Sequence, residues 1–536
     1  MAEPARIQVT ATRRGAILLA SLAALTLLRL VVAGIAPLAP DEAYYWVFSH
    51  ALAPGYLDHP PMVALWIRAG TAIAGQGALG VRLLGPLAGA LGSLLLFDAA
   101  ERLWSPAPPC AGSGRRTCGR TGAAASGRQA GVAAFGRPAA VGACGQQPGV
   151  TAAALLNATL LAGVGAVIMT PDTPLLFFWT ACLWALARLL HSGRPAWWLA
   201  IGLFAGLALA SKYTALLLWL GIGLWLLWVP AQRRWWRSPM LWAGALLGGL
   251  VFLPVVLWNA EHGWASLLRQ GGRVAAWQPA RAGQFLGELI GGQIGLATPL
   301  VFLLFVVGVG WAARRGWQHR DPAGALIAAL TLPGATLFVQ HALGDRVQGN
   351  WPAILYPAAA VAAAGLDRSR WLRLRWPAVA LGVAITLLVY VRATSAVLTL
   401  PPGIDPVAHQ LAGWDGLAES VEAARRAQAA GFVAADDYGV AAELARALPA
   451  DVTMLGVEQR WRLFRLAPAQ VADAAGILVR HAGSGEPVGW REAHLIGEVS
   501  RASQGVAVQR FALWRVAGPL PSLPAVVLPR YAPAMR

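Results

Sequence analysis

From Gly15 to Pro37 the chain is almost wholly apolar, and the segment Pro40-Asp41-Glu42-Ala43-Tyr44-Tyr45-Trp46 follows directly. A run of that length suffices to cross a bilayer as a helix. Asp41 and Glu42 are therefore expected at its far mouth, beside aromatic residues suited to a membrane–water interface. A second polar knot, Asp58-His59-Pro60-Pro61, comes soon after. A carboxylate pair and a histidine gathered at one membrane face point to chemistry on a lipid-borne substrate; a plain anchor would not need them.

Composition extends this to the whole chain. Its 536 residues are 57% hydrophobic and only 13% charged, whereas soluble domains are about 45–50% apolar and about 25% charged. An integral membrane protein is expected. A cleavable signal peptide does not explain the N-terminus, because its apolar region would be only about 7–15 residues long. The formal charge of +18 needs no nucleic acid partner, because many of the arginines cluster in short loops between apolar runs, as membrane topology demands.

Those loops predict a path through the bilayer. Basic segments lie at Arg13-Arg14, 102–137, 188–194, 233–237, 314–320 and 368–375. Apolar runs predict eleven spans near 15–37, 81–103, 149–169, 174–190, 196–212, 213–229, 240–258, 284–311, 322–341, 351–366 and 377–397. With the N-terminus inside, every basic segment falls on the cytoplasmic side and the C-terminal tail falls outside.

The opposite loops carry Asp41, Glu42, Asp58, His59, Asp172, Lys212, Asn259, Glu261, His262, Asp345, Arg346 and Asn350. Loops are polar in general, but charges at membrane depth usually face a cavity or a pathway. Convergence of this set on one cavity is the reading carried forward. Lys212 is the only lysine among 43 basic residues. It suits either snorkelling to the interface or a point charge for a phosphate.

Two regions depart from the membrane pattern. Residues 104–147 are rich in Gly, Ala, Pro, Ser and Arg and include Cys110, Cys118 and Cys144. Their spacing matches no zinc or redox motif, and the segment reads as a disordered cytoplasmic loop or an out-of-frame stretch. Residues 401–536 read as a small extracytoplasmic α/β domain. Strands are predicted at 431–435, 451–457, 477–480 and 508–516, with a helix at 440–448. Residues 1–400 then form the transmembrane domain.

Asp41-Glu42-Ala43-Tyr44-Tyr45, His59-Pro60-Pro61, Thr170-Pro171-Asp172-Thr173-Pro174, Ser211-Lys212-Tyr213 and Gly349-Asn350-Trp351-Pro352 form an ordered set. It resembles bacterial members of the protein mannosyltransferase and aminoarabinose transferase superfamily. The resemblance covers roughly residues 15–400, with a weaker echo beyond. It implies a GT-C glycosyltransferase that moves a sugar from a polyprenyl phosphate carrier to a lipid, glycan or protein acceptor outside the bacterial cytoplasmic membrane, with inversion. No cofactor, metal or nucleic acid is implied, and the surrounding membrane lipids are the other partners. Two features depart from the family: the aminoarabinose transferases tend to have lysine where His59 stands, and the 104–147 segment is foreign to the pattern.

The chemistry agrees with the resemblance. A sugar on a polyprenyl phosphate carries a good leaving group, so the enzyme needs chiefly one base for the acceptor. Asp41 is the candidate base, Glu42 would orient it or the acceptor, and Asp172 would position the sugar or acceptor. The departing phosphate calls for cationic or hydrogen-bonding partners, and His59, Lys212 and Arg346 are the candidates. Tyr45 and Asn350 complete the expected substrate-binding set. Simpler roles compete: Asp41 also suits a helix cap, His59 a turn before two prolines, and Tyr45 and the Asn350-Trp351-Pro352 segment an interfacial anchor. A transporter or flippase for a lipid-linked sugar is the alternative from another class, although no internal repeat of the kind such proteins carry is visible.

Overall fold

The structure is a computed structural model that describes residues 3–104, 147–272, 277–367, 369–395, 397–398, 400–401, 405–471 and 474–531. Apart from Trp104 and Gln147, the expected 104–147 loop lies outside the described residues, as do its three cysteines.

The first part of the chain is helical throughout. Seven described helices are long and apolar enough to cross a membrane: Ala16–Ile35, Ala78–Trp104, Asp172–Ser192, Pro239–Glu261, Pro299–His319, Pro322–Ala342 and Ser369–Thr394. An eighth is reached if Tyr213–Trp228 and Pro230–Arg237, bent by 112° from one another, count as one span. Met62–Ala74, Trp197–Leu209 and Trp351–Ala364 are apolar but shorter. The protein is thus an integral membrane protein of many helices; the eleven expected spans are not reproduced one for one.

Two of the differences have local causes. The run expected as one span at 284–311 is two helices, Ala282–Ala297 and Pro299–His319, separated by Thr298. Thr298 adopts φ +67°, and Pro299 starts the next helix, where its missing N–H costs nothing. The run at 149–169 likewise divides into Pro148–Asn157 and Leu160–Gly165. Thr159 restarts the helix by accepting a hydrogen bond from the Ala162 amide. A hydropathy window passes over both breaks, because neither introduces charge.

Helices that carry site residues pack through small side chains. Trp197–Leu209 and Pro239–Glu261 meet backbone to backbone; a Cβ on Gly202 would lie 1.8 Å from the Gly244 carbonyl oxygen. Such contact lets van der Waals packing hold helices together where lipid offers no hydrophobic drive.

Beyond residue 405 the chain builds a six-stranded mixed sheet: β1 (Phe432–Ala435), β2 (Thr453–Gly456), β3 (Gly476–His481), β4 (Trp490–Ser503), β5 (Val506–Pro519) and β6 (Val526–Val527). The order is β4-β5-β3-β1-β2-β6. β1 pairs in parallel with β2 and β3, and the remaining pairs are antiparallel. The four strands expected from the sequence are present with shifted ends, and the expected helix runs Tyr438–Ala447. β4, β6 and the Pro406–Leu411 and Trp414–Ala427 helices are additions.

Alternation along β1 sends Phe432 and Ala434 to one face and Val433 and Ala435 to the other, as the pleat requires. The Val433 face is continuous with a core that also holds Tyr44, Val47 and Phe48 of the short Pro40–His50 helix. That helix lies against Tyr438–Ala447. The first polar segment of the chain is therefore packed into the sheet region.

Candidate active site

A cavity of about 550 Å³ opens where these parts meet. Asp41, Tyr44 and Tyr45 line it from the Pro40–His50 helix, and Asp58 and His59 from the loop that follows. Asp172 comes from the first turn of its helix, Lys212 from the break after Trp197–Leu209, and Arg346, Asn350 and Trp351 from the 345–351 segment. Of the eight residues expected from the sequence, Asp41, Tyr45, His59, Asp172, Lys212, Arg346 and Asn350 share this cavity.

Glu42 is the exception. It is fully buried, and Arg82 donates to both its oxygens, from Nε to Oε1 at 2.7 Å and from Nη2 to Oε2 at 2.5 Å. The Met169 and Ala39 amides donate to the same carboxylate at 2.9 and 3.0 Å. Arg82 also donates to the carbonyls of Ala33, Ala36 and Pro37. The sequence reading has Glu42 orienting Asp41 or an acceptor; in the structure it lines an adjoining cavity and ties together the end of the first span, the start of the Pro40–His50 helix and the chain at Met169.

Asp41 faces the cavity instead. The Tyr438 hydroxyl donates to its Oδ1 at 2.9 Å, and none of the ion pairs among the described residues includes it. Burial of the surrounding site pushes its pKa above the ordinary aspartate value; the Tyr438 hydrogen bond opposes this, and the nearby Asp58 charge adds to it. The Tyr438 and Tyr44 hydroxyls are themselves pushed up by burial and stay protonated donors. Asp41 does not cap its helix: Ala39 holds that position and Pro40 begins the first turn.

The remaining carboxylates carry direct partners. Lys212 Nζ donates to both oxygens of Asp172 at 2.8 and 2.9 Å, and Asn350 Nδ2 donates to Oδ2 at 2.6 Å. Asp172 therefore fixes Lys212 and Asn350, while the three-donor ammonium keeps capacity for another acceptor. Asp58 accepts from Tyr44 at 2.9 Å and from Arg460 at 2.9 Å, with Arg269 Nε 3.8 Å away. Arg346 stands at the rim, 2.8 Å from Glu288. His59 meets the Tyr45 ring edge to face at 5.8 Å. Among the described residues no cluster of His, Cys, Asp and Glu gathers with the geometry of a metal site.

Four wall residues escaped the sequence reading: Arg269, Gln348, Tyr438 and Arg460. Arg269 lies on the short Ala265–Gly272 helix, half exposed. Tyr438 follows the C-terminal end of β1, and Arg460 lies 4.0 Å from the Tyr438 ring centroid. Only the Asp-Asp-Tyr end of the predicted 431–435 strand offered a signal. A second, mainly apolar cavity of about 430 Å³ adjoins the first and shares Asp41, Thr170, Asp172 and Asn350 with it. Val32, Ala36, Leu161, Val164 and Val389 form part of its wall.

Comparisons with known proteins agree with this architecture. The family model for dolichyl-phosphate-mannose-protein mannosyltransferase matches residues 140–258. The lipid A galacturonosyltransferase RgtD of Rhizobium johnstonii is 28% identical over 340 residues, 63% of this chain and 61% of that protein. The chain thus matches less than two thirds of that relative's length. The crystal structure of ArnT from Cupriavidus metallidurans bound to undecaprenyl phosphate superposes with a TM-score of 0.58 at 14% identity, covering 95% of this chain and 100% of ArnT. The apo form gives 0.54 at 16% identity with the same coverage. The resemblance found in the sequence motifs is borne out, and the fold is that of the ArnT structures, with many membrane helices and, in this chain, a small C-terminal sheet.

Proposed function

We propose that this protein is a membrane glycosyltransferase that moves a sugar from a polyprenyl phosphate carrier to a lipid acceptor at the extracytoplasmic face of a bacterial cytoplasmic membrane. The observation that carries the reading is the contrast inside one cavity: Asp41, bonded by a hydroxyl and not by a cation, shares it with Lys212, Arg269 and Arg346. The first suits proton acceptance and the cations suit an anionic leaving group.

In this mechanism Asp41 takes the proton of the acceptor hydroxyl as that oxygen attacks the anomeric carbon. The bond between the anomeric carbon and the phosphate oxygen breaks, and the electron pair leaves with the phosphate. The attack comes from the opposite side, so the centre inverts. The phosphate gains negative charge, which Arg269, the remaining donor capacity of Lys212, and Arg346 oppose in a site with limited water. In this reading His59 and Asn350 hold the phosphate or the sugar, and Tyr45 contributes to the substrate-binding wall.

The adjoining apolar cavity supports a substrate with hydrocarbon chains, because it meets the polar cavity at Asp41 and Asp172. The names of RgtD and ArnT supply the first compounds to try: lipid A as acceptor, a galacturonosyl group as sugar, and undecaprenyl phosphate as carrier. The basic segments, all on one side of the expected topology, support an extracytoplasmic site. A reporter fused after Val397 should then be active only outside the cytoplasm and one after Arg315 only inside.

The deciding experiment incubates the purified full chain with undecaprenyl-phosphate-linked galacturonic acid and lipid A, followed by mass spectrometry. Glycosylated lipid A and free carrier phosphate are expected, with both lost in Asp41→Asn. Lipid and glycan fractions from a deletion strain identify a different sugar or acceptor. Unchanged fractions in that strain, with no transfer in vitro, would sink the proposal.

A further inference from the structure

The chain turns by 112° where the apolar Tyr213–Trp228 segment gives way to Pro230–Arg237. Pro230–Arg237 is a 3₁₀ helix of eight residues, longer than the usual run of about 3–4. Three residues make one turn of such a helix, so side chains at i and i+3 stand directly above one another. That period sorts the sequence into rows. Gln232 and Trp235 form the buried row, and the Trp235 indole donates to the Gln232 side chain at 2.9 Å. Arg234 and Arg237 form another row, and both are exposed. An α-helix would turn them about 60° apart.

The third arginine has a different task. Arg233 donates from Nε and Nη2 to the Leu227 carbonyl at 2.9 and 2.8 Å, and so holds the bend. The Arg234 guanidinium lies 4.9 Å from the Trp235 ring centroid. None of the ion pairs among the described residues includes Arg234 or Arg237; Asp98 and Asp321, acids at the same end of the helices, are held by Arg102 and Arg188, and by Arg315. Trp242 is 55% exposed, and its indole donates to the Trp236 carbonyl at 3.0 Å. Leu224 and Leu246 are exposed about one turn deeper on the two helices that meet here. Arginines, then tryptophan, then leucines is the order of a bilayer interface from headgroup to hydrocarbon.

We propose that Arg234 and Arg237 clamp the phosphate of an anionic phospholipid of the surrounding bilayer. Charge and spacing select it. One turn of a 3₁₀ helix rises about 6 Å, which sets two guanidiniums on either side of one phosphate, and arginine forks match phosphate oxygens bidentately. The exposed leucines receive the acyl chains, which a free phosphate does not have. A zwitterionic headgroup brings its own cation against the arginines, so an anionic one is preferred. Topology alone asks only for positive charge at this end; it does not ask for two arginines in one row of an uncommon helix. The Leu216–Trp228 helix, 13 residues long, puts about 20 Å between this clamp and the Lys212 end, and the site stands independently of the reaction proposed above.

The test equilibrates the purified full chain with detergent micelles holding equal amounts of phosphatidylglycerol and phosphatidylcholine of the same acyl chains. Native mass spectrometry then gives the ratio of the two lipids retained. The wild type should favour phosphatidylglycerol, and Arg234→Gln with Arg237→Gln should cut the ratio by about tenfold. Arg370→Gln with Arg373→Gln removes two exposed arginines of the same sequence spacing from the α-helix Ser369–Thr394 and should cut it by less than about twofold. A wild type without preference, a clamp variant that keeps it, or an equal loss in the second pair overturns the proposal; the last would show general surface charge. If the double variant does not accumulate, Arg237→Gln alone decides by the same ratio. A drop of about threefold or more supports the clamp, and a smaller one overturns it.

Discussion

Asp41 and Glu42 are adjacent in the chain, yet a helix turns successive side chains about 100° apart and sends them into different worlds. Beneath the Pro40–His50 helix, Glu42 is closed in by Arg82 and two backbone amides. Above it, Asp41 has one hydroxyl partner and an open cavity. Asp172 stands between these extremes, paired to Lys212 but on the cavity wall. The same functional group is a fastener where every lone pair is answered, and keeps the capacity to accept a proton where one remains available. Access and satisfaction assign the role; carboxylate identity does not.

The sharpest way to break this comparison is Asp41→Asn, which keeps shape but removes proton acceptance. Turnover should drop by about 10²–10⁴-fold, while carrier-lipid binding changes little. Single-turnover assays and binding measurements on equally folded protein separate the two. Next comes Glu42→Ala, which leaves Arg82 buried without its partner. Breaking a buried pair costs about 3–5 kcal/mol, so denaturant unfolding in detergent should register a loss of that order. Residual activity should then track the folded fraction. If the variant is as stable as wild type yet inactive, Glu42 is chemical after all.

Lys212→Met tests the intermediate case. It should weaken carrier binding and lower stability by leaving Asp172 unpaired. The double variant Lys212→Met with Asp172→Asn should recover stability but not binding. A coupling of about 0.5–3 kcal/mol is expected for contacting residues; strict additivity would show the pair to be incidental. The smallest effect is expected from Tyr438→Phe. The lost hydrogen bond had favoured the Asp41 carboxylate, so its removal raises that pKa further. The base must be ionised, and the acidic limb of the pH–rate profile should therefore move to higher pH with the plateau rate retained. An unmoved limb would separate Asp41 from that titration.

Much of this arrangement was legible in the sequence, for physical reasons. Asp41, Asp172, Lys212 and Asn350 stand out because polar groups at the ends of apolar runs are rare and must go somewhere common. Arg269, Tyr438 and Arg460 were not legible, because each belongs to a stretch where polar residues are ordinary and only tertiary contact selects it. The role of Glu42 was hidden for a related reason. Its partner, Arg82, opens an apolar run and carries no local mark of pairing. The break at Thr298-Pro299 was invisible to hydropathy, which measures transfer into lipid and is blind to backbone direction.

The contacts Tyr438–Asp41 and Arg460–Asp58 join residues 397 and 402 positions apart. A ribosome therefore finishes nearly the whole chain before the cavity has its last wall. During synthesis the membrane helices can be inserted with the Asp41 side still open to solvent. A truncated product would hold the parts facing the lipid without the finished chamber. The order of the chain itself thus acts as a quality check, withholding the completed cavity from any copy that stops short.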